Sequence, residues 1–348
     1  MKFTIIGAGA IGGVIGSYLV KGGEDVTFVD IDKDHVEKMN TDGLTIESKD
    51  NVFTVPVKAL TLEELVKREV KLDVVFLCVK ALHTKDAVNQ FQHLLNEHSI
   101  VVSFQNGLCE QDIAAIIGEE RTVGCFVNLF ADYIRPGYIH YGGVGAVYIG
   151  ELNKDITPRV EEIVNRLKVW GDAKATDNIE GYLWGKLAYG AILTATALTN
   201  EKIADILDSH QYRDMLIELA REVLEVAHLE GIKPEGFDNW EPGLLYPKET
   251  AKLDDINRQF DTLVSHLRNY TKTRTGIWRD LAVRKRKTEV PYHLEPIIAK
   301  GHKKHVRMGL TETTLRMIKD IEDGKRDLSI ENLDLLNGVY LEKKNVYS

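Results

Sequence analysis

"FTIIGAGAIGGVIGSYLVKGG", residues 3–23, sets an apolar strand-like run directly against a glycine turn and follows it with a helical pattern. Within it stands Gly7-x-Gly9-x-x-Gly12. In such a turn the first glycine permits the tight bend, the second lets the backbone approach a pyrophosphate, and the third lets helix and strand pack closely. The first turn of the helix then offers unpaired N–H groups and a partial positive charge to phosphate oxygens. Residues Gly7, Ala8, Gly9, Ala10, Ile11 and Gly12 are therefore read as a dinucleotide cradle. The strand-turn-helix context separates it from an ordinary glycine turn.

The next apolar run ends in "VTFVDID" (26–32) and places Asp30 about 20 residues beyond the glycines, where a carboxylate accepts hydrogen bonds from ribose hydroxyls. The same carboxylate repels a 2′-phosphate, so Asp30 leans toward NAD. A competing reading makes Asp30 a cap of the strand-helix loop and Asp32 the residue that matters.

Outward from this segment, β-branched runs alternate with helical patterns to about residue 176. The runs are 2–7, 25–30, 72–79, 99–105, 121–127 and 145–152. That alternation predicts an α/β domain, a Rossmann-type doubly wound parallel sheet over residues 1–176. From 177 to 348 strand-like runs nearly vanish and long amphipathic stretches take over, such as 213–231, closed by Gly231, and 253–270. An all-α domain is expected there. Between those stretches, 233–249 holds three prolines and reads as a loop.

The chain has 348 residues, enough for two domains, and 28% of them are charged with a net charge of −9. General affinity for nucleic acid or anionic membrane rests on an excess of Lys and Arg, so neither partner is expected. The three cysteines, Cys78, Cys109 and Cys125, are too scattered for a disulfide framework or a zinc site. His293, His302 and His305 lack acids or thiols to complete a metal set, and no metal is expected. Lys2 before an apolar run imitates a signal peptide, but the glycine spacing accounts for that run better. No run approaches the ~18 apolar residues of a membrane span. A cytoplasmic protein is the expectation. The run Arg284-Lys285-Arg286-Lys287 reads as a solvated helix face.

"YLWGKLAYGAILTATAL" (182–198) carries one charge, Lys186, among residues that otherwise read as protein interior. On a helix over 178–199, Lys186, Gly190, Thr194 and Ala197 share a stripe. The stripe beside the lysine is small or hydroxylic, which leaves room for a ligand near the ammonium. An unpaired buried ammonium is costly, so this one lines a cleft, reaches water or meets an acid.

Three more segments bear on it. "VVFLCVKALHT" (74–84) puts Lys80 at a strand end, "VVSFQNGLCEQD" (101–112) puts Asn106 in a turn after the next strand, and "KRKTEVPYH" (285–293) carries Thr288-Glu289. With the glycine cradle and the lysine helix, this order resembles the ketopantoate reductase (2-dehydropantoate 2-reductase) family over nearly the whole chain, to "GLTETTLRMIKDIEDG" (309–324). The resemblance implies an N-terminal domain that binds NADPH and a helical domain that closes over nicotinamide and a 2-oxo acid. It makes Lys186 the general acid and Glu289 a contact to substrate and cofactor. Asn106 falls near the nicotinamide ribose and substrate, and Lys80 beside the cofactor.

Departures from the family pattern bear on the substrate. Gly190 and Thr194 stand where the family usually has asparagines that help hold ketopantoate, and Thr275-Gly276 where a pair of serines is expected. Pro291 replaces a common aspartate, and the segment before Glu289 is one residue longer, which turns a helix by ~100°. The expected function is an NAD(P)H-dependent reductase of a 2-oxo acid, with Lys186 and Glu289 catalytic and with Asn106, Lys186, Gly190, Thr194 and Thr275 at the substrate. Two alternatives stand beside it: an NAD-dependent dehydrogenase of a different hydroxy acid, and a catalytically silent dinucleotide sensor. A homodimer through the helical domain is a further expectation.

Overall fold

Strand β1 (Lys2–Ile6) is buried from Phe3 onward, the pattern of a strand covered on both faces. Side chains alternate along it: Phe3 and Ile5 enter one apolar cluster with Phe28, Val74 and Phe76, while Ile6 enters another with Val29, Val75 and Leu77. Two clusters separated by a period of two are what a sheet with helices on both sides produces. The computed structural model describes residues 1–269 and 273–345. It divides into two compact units, Met1–Ile179 and Glu180–Ser348.

In the first unit, β1 is followed by α1 (Ala10–Lys21), β2 (Asp25–Asp30), α2 (Lys33–Asp42), β3 (Leu44–Glu47), β4 (Val52–Val55) and β5 (Lys58–Thr61). Then come α3 (Leu62–Lys67), β6 (Leu72–Leu77), α4 (Thr84–Phe91), β7 (Leu95–Ser103) and α5 (Cys109–Ile117). The unit closes with β8 (Thr122–Arg135), β9 (Tyr138–Glu151), α6 (Pro158–Leu167) and β10 (Ala173–Ala175).

Strands β5, β2, β1, β6, β7 and β8 run parallel, side by side in that order. This is the 3-2-1-4-5-6 arrangement of a doubly wound sheet, and the chain changes direction across the sheet between β1 and β6. The sheet does not stay parallel. β8 and β9 form a long antiparallel hairpin, and β9 continues beside β3, which pairs antiparallel with β4. That extension reaches α1 from its other side. A Cβ on Gly13 would stand 2.1 Å from Ile139 of β9, and one on Gly16 2.5 Å from the Phe28 ring of β2. The glycines of α1 thus let sheet close on the helix from two directions.

The second unit begins within α7 (Ile179–Thr196) and continues through α8 (Ile203–Asp208), α9 (His210–Leu229), α10 (Leu253–Asn269) and α11 (Gly276–Trp278). It ends with α12 (Val290–Lys303), α13 (Gly309–Glu322) and α14 (Glu331–Asn345). Gly231 terminates α9 as expected: at φ +75° its N–H reaches His228 O (2.9 Å) and that of Ile232 reaches Ala227 O (2.9 Å). The expected amphipathic stretch 253–270 is helical to Asn269, and Tyr270 lies outside the described residues.

The loop 233–249 packs on α7. The Trp240 indole N–H donates to Gly185 O (2.9 Å), and its ring lies 5.2 Å from that of Tyr189. No described helix is long and apolar enough to cross a membrane.

Candidate active site

The turn between β1 and α1 is built as its glycines require. Gly7 sits at φ +96°, a conformation costly for any residue with a Cβ, and its N–H donates to Val29 O (2.8 Å). A Cβ on Gly12 would stand 2.2 Å from Gly7 O, so no larger residue fits beneath the turn. Around Gly9 the situation is opposite, with no atom within 4 Å of a built Cβ. Gly9 also caps α1 without a side chain, and no acid occupies the first helical turn. The turn is closed toward the protein and open above Gly9. An anionic pyrophosphate fits that surface.

Asp30 and Asp32 divide the work at the end of β2. Asp32 caps α2, accepting from the N–H groups of Asp34 (3.1 Å) and His35 (3.2 Å), and its other oxygen accepts from the Tyr133 hydroxyl (3.1 Å). Asp30 accepts from Asp32 N–H through Oδ1 (3.0 Å) and stays half-buried at the strand terminus. Asp32 is the cap, which leaves the strand-end position to Asp30.

His35 is a residue that sequence reasoning missed. It is 1% exposed, and Gly137 N–H donates to its Nδ1 (2.9 Å). That leaves the proton on Nε2, which donates to Ala8 O (2.9 Å). One imidazole therefore ties the cradle to the turn of the β8–β9 hairpin, across 102 residues of chain, and nothing local in the sequence signals it. His35→Ala strands two buried backbone groups, a loss of ~1–3 kcal/mol. The expected result is a lower Tm and weaker NADH binding by fluorescence titration. Unchanged NADH affinity in the variant would remove His35 from the cradle's support.

Lys80 and Asn106 follow β6 and β7. Gln105 joins the two loops, its amide donating to Val79 O (2.8 Å) and Thr84 Oγ1 (2.8 Å). Lys80 is half-buried and Asn106 exposed, just before Gly107 at φ +97°. The cradle, Asp30, Lys80 and Asn106 thus stand beyond the carboxyl ends of β1, β2, β6 and β7. In open α/β sheets that edge, at the switch point, is where ligands bind. The Cys78 thiol, beside the cradle, is pushed up by burial and is not a thiolate at neutral pH.

In the second unit, apart from Glu180 in its first turn, the less buried residues of α7 are Tyr182, Lys186, Tyr189, Gly190 and Leu193, a single helical stripe. A Cβ built on Gly190 meets nothing within 4 Å. Thr194 lies deeper, 4% exposed, and its hydroxyl donates to Gly190 O (2.8 Å). Its proton is spent on the helix, and only its lone pairs are left for a ligand.

Thr275 caps α11 by accepting from Trp278 N–H (3.0 Å), and Arg274 and Trp278 anchor this segment to Asn200, just past α7. A π-helical turn, Arg279–Val283, follows, with Arg284 N–H reaching Arg279 O (2.9 Å). A π turn is how a helix takes in one extra residue. Thr288 is held by Glu322, which accepts from its hydroxyl (2.6 Å) and its N–H (2.8 Å), so the half-buried Glu289 starts α12 from a fixed neighbour.

Residues 284–287 are not the helix face expected of them. They form a loop in which Asp280 pairs with Arg284 (3.1 Å) and Arg286 (2.9 Å), and Asp323 pairs with Lys287 (2.5 Å). The π turn ends the helix before the charge run begins. Among the described residues no group of three or more His, Cys, Asp or Glu gathers as a metal site would require.

A doubly wound sheet with an open glycine cradle at its switch point, followed by a helical unit, defines the class of two-unit Rossmann-type oxidoreductases. Residues 3–154 match the family model "Ketopantoate reductase PanE/ApbA", and residues 178–322 match that family's C-terminal model. The chain belongs to the ketopantoate reductase family.

The 2-dehydropantoate 2-reductase of Pyrococcus horikoshii is 29% identical over 281 residues, 80% of this chain and 85% of that one. The solved 2-dehydropantoate 2-reductase of Geobacter metallireducens superposes with a TM-score of 0.77 at 23% identity, covering 92% of this chain and 99% of its own. A D-mandelate dehydrogenase solved with NADH and anilino(oxo)acetate gives a TM-score of 0.79 at 21% identity, over 93% and 99%. The protein is accordingly a nicotinamide-dependent oxidoreductase of the 2-dehydropantoate 2-reductase type, acting on a CH–OH group.

Proposed function

We propose that this protein reduces a 2-oxo acid to the 2-hydroxy acid, with Lys186 as proton donor and ketopantoate the first substrate to test. The observation that carries this is the half-buried ammonium of Lys186 on an α7 stripe whose next turn, at Gly190, is open. When bound, a nicotinamide dinucleotide supplies the hydride. As negative charge grows on the C2 oxygen, the ammonium of Lys186 stabilises it and then gives it a proton. Glu289 accepts a hydrogen bond from the new hydroxyl and orients it, and Asn106 contacts both ligands. On this reading residues 1–176 bind the dinucleotide and 177–348 hold the substrate and support a homodimer. The cradle holds the phosphates, Lys80 stands beside the cofactor, and the enzyme serves pantothenate biosynthesis in the cytoplasm.

Asp30 at the end of β2 favours NADH over NADPH, because a carboxylate there meets a 2′-phosphate as a like charge. A second reading, oxidation of a different hydroxy acid by NAD, draws support from the open space at Gly190 and from the spent hydroxyl of Thr194. Where the family's amides are missing, ketopantoate loses hydrogen bonds worth ~1–3 kcal/mol each. Thr275, already capping α11, offers its remaining lone pair to substrate.

Steady-state assays of ketopantoate and a panel of 2-oxo acids, each with NADH and NADPH, test these readings together. Turnover of at least one 2-oxo acid, with kcat/KM for NADH at least equal to that for NADPH, is expected. A larger acid preferred over ketopantoate selects the second reading. A strong NADPH preference overturns the assignment of Asp30, and tight cofactor binding without turnover makes the protein a dinucleotide sensor.

A further inference from the structure

A cavity of about 610 Å³ opens in the second unit, away from every residue assigned above. Its walls come from α9, the turn 305–307, the loop at Lys248 and the end of α14. Helix α14 begins after the last residue matched by the family models. Lys248, Arg307, Lys343 and Lys344 face it with His305, against the carboxylates of Glu218 and Glu225.

The cations are arranged, not scattered. Glu218, on the floor, accepts from Lys248 (2.8 Å) and Lys343 (3.0 Å) at the same oxygen, and Lys343 also reaches the buried Glu222 (3.3 Å). Two ammoniums are thereby fixed side by side over one carboxylate. Arg307 and Lys344 are exposed at the rim, and Lys344 lies 5.8 Å from the Tyr340 ring.

The backbone places a histidine beside these cations. α12 ends in a Schellman turn, with His305 N–H to His302 O (3.1 Å) and Val306 N–H to Gly301 O (2.9 Å). The left-handed position in that turn is ordinarily glycine, yet here it is His305 at φ +59°. That turn leaves His305 exposed among the residues that line the cavity.

We propose that this cavity binds a small phosphorylated organic molecule, its phosphate held by Arg307, Lys344 and His305 and its organic part lying against Tyr340 and Val306. A guanidinium fork with adjacent ammoniums is the recognition set for phosphate, and the volume suits a small-molecule ligand rather than a bare ion. The site stands apart from the reductase reading and does not depend on it.

The test is isothermal titration of the full chain with inorganic pyrophosphate and with citrate, at constant ionic strength and with NADH saturating to occupy the glycine cradle. One saturable pyrophosphate site per chain is expected, at least tenfold weaker in the Arg307→Gln/Lys344→Gln double variant. Both residues are exposed, so the variant keeps its fold. His305→Gly is expected to raise Tm by relieving the left-handed turn while weakening pyrophosphate binding, a pair of opposite effects that a purely structural histidine does not produce. No saturable binding, binding indifferent to the double variant, a His305→Gly change confined to Tm, or citrate bound more tightly than pyrophosphate each overturns the proposal.

Discussion

Lys186→Ala is expected to lower kcat by about 10²–10⁴-fold, the usual contribution of a positioned general acid, with dinucleotide affinity unchanged. The split follows from placement. Lys186 belongs to α7, whereas the glycine cradle, Asp30 and Lys80 belong to the sheet of the first unit, so the substitution leaves them intact. The fold should also survive, since the side chain is half-buried and the deeper faces of α7 are carried by Leu183, Leu187, Ala191 and Ala195.

Lys186→Arg separates the two duties assigned to the ammonium. Guanidinium keeps the positive charge but does not give up a proton near neutral pH, so it preserves oxyanion stabilisation and loses proton donation. Substrate KM should rise less in the arginine variant than in the alanine variant, while kcat stays low in both. Turnover in Lys186→Ala equal to wild type would sink the general-acid assignment.

What was legible in the sequence follows from how local each constraint is. The cradle is a steric demand written in six consecutive residues, and the central strands announce themselves as β-branched runs because both their faces are buried. Strands β3, β4, β5 and β10 were not anticipated. "LTIE", "VFTV", "KALT" and "AKA" are three or four residues long and largely polar or half-exposed, and they exist as strands because long neighbours offer them hydrogen bonds.

His35 was invisible for the same reason in stronger form: its two partners, Ala8 and Gly137, become neighbours only once the hairpin has folded across α1. The charge run at 284–287 misled because such runs usually are solvated helix faces, whereas here the π turn and the pairing with Asp280 end the helix just before it. Local patterns found the cradle and the lysine helix. The residues that hold them depend on contacts between distant segments.

Two glycines of the cradle give the second large effect, and in opposite ways. Gly12→Ala puts a Cβ 2.2 Å from Gly7 O, 2.8 Å from Ile5 Cγ2 and 3.0 Å from Cys78 Cβ. Backbone oxygen cannot move aside as a flexible side chain would, so α1 must lift from β1. Overpacking of this kind costs ~1–3 kcal/mol, and Tm falls by roughly 2–4 °C per kcal/mol in a unit of this size. Cofactor affinity falls with it because the cradle is the part displaced.

Gly9→Ala behaves differently. Its φ of −68° is not left-handed, its ψ of −151° lies a little past the extended range, and the new methyl group meets no protein atom within 4 Å. Tm should stay at the wild-type value, while the methyl group stands where the pyrophosphate must approach the backbone. NADH affinity is expected to drop tenfold or more, about 1.4 kcal/mol. A Gly9→Ala protein that binds NADH like wild type would show that the pyrophosphate does not lie over Gly9, whatever the Gly12 variant does. Loss of Tm in Gly12→Ala and loss of affinity alone in Gly9→Ala would assign packing to one glycine and ligand approach to the other.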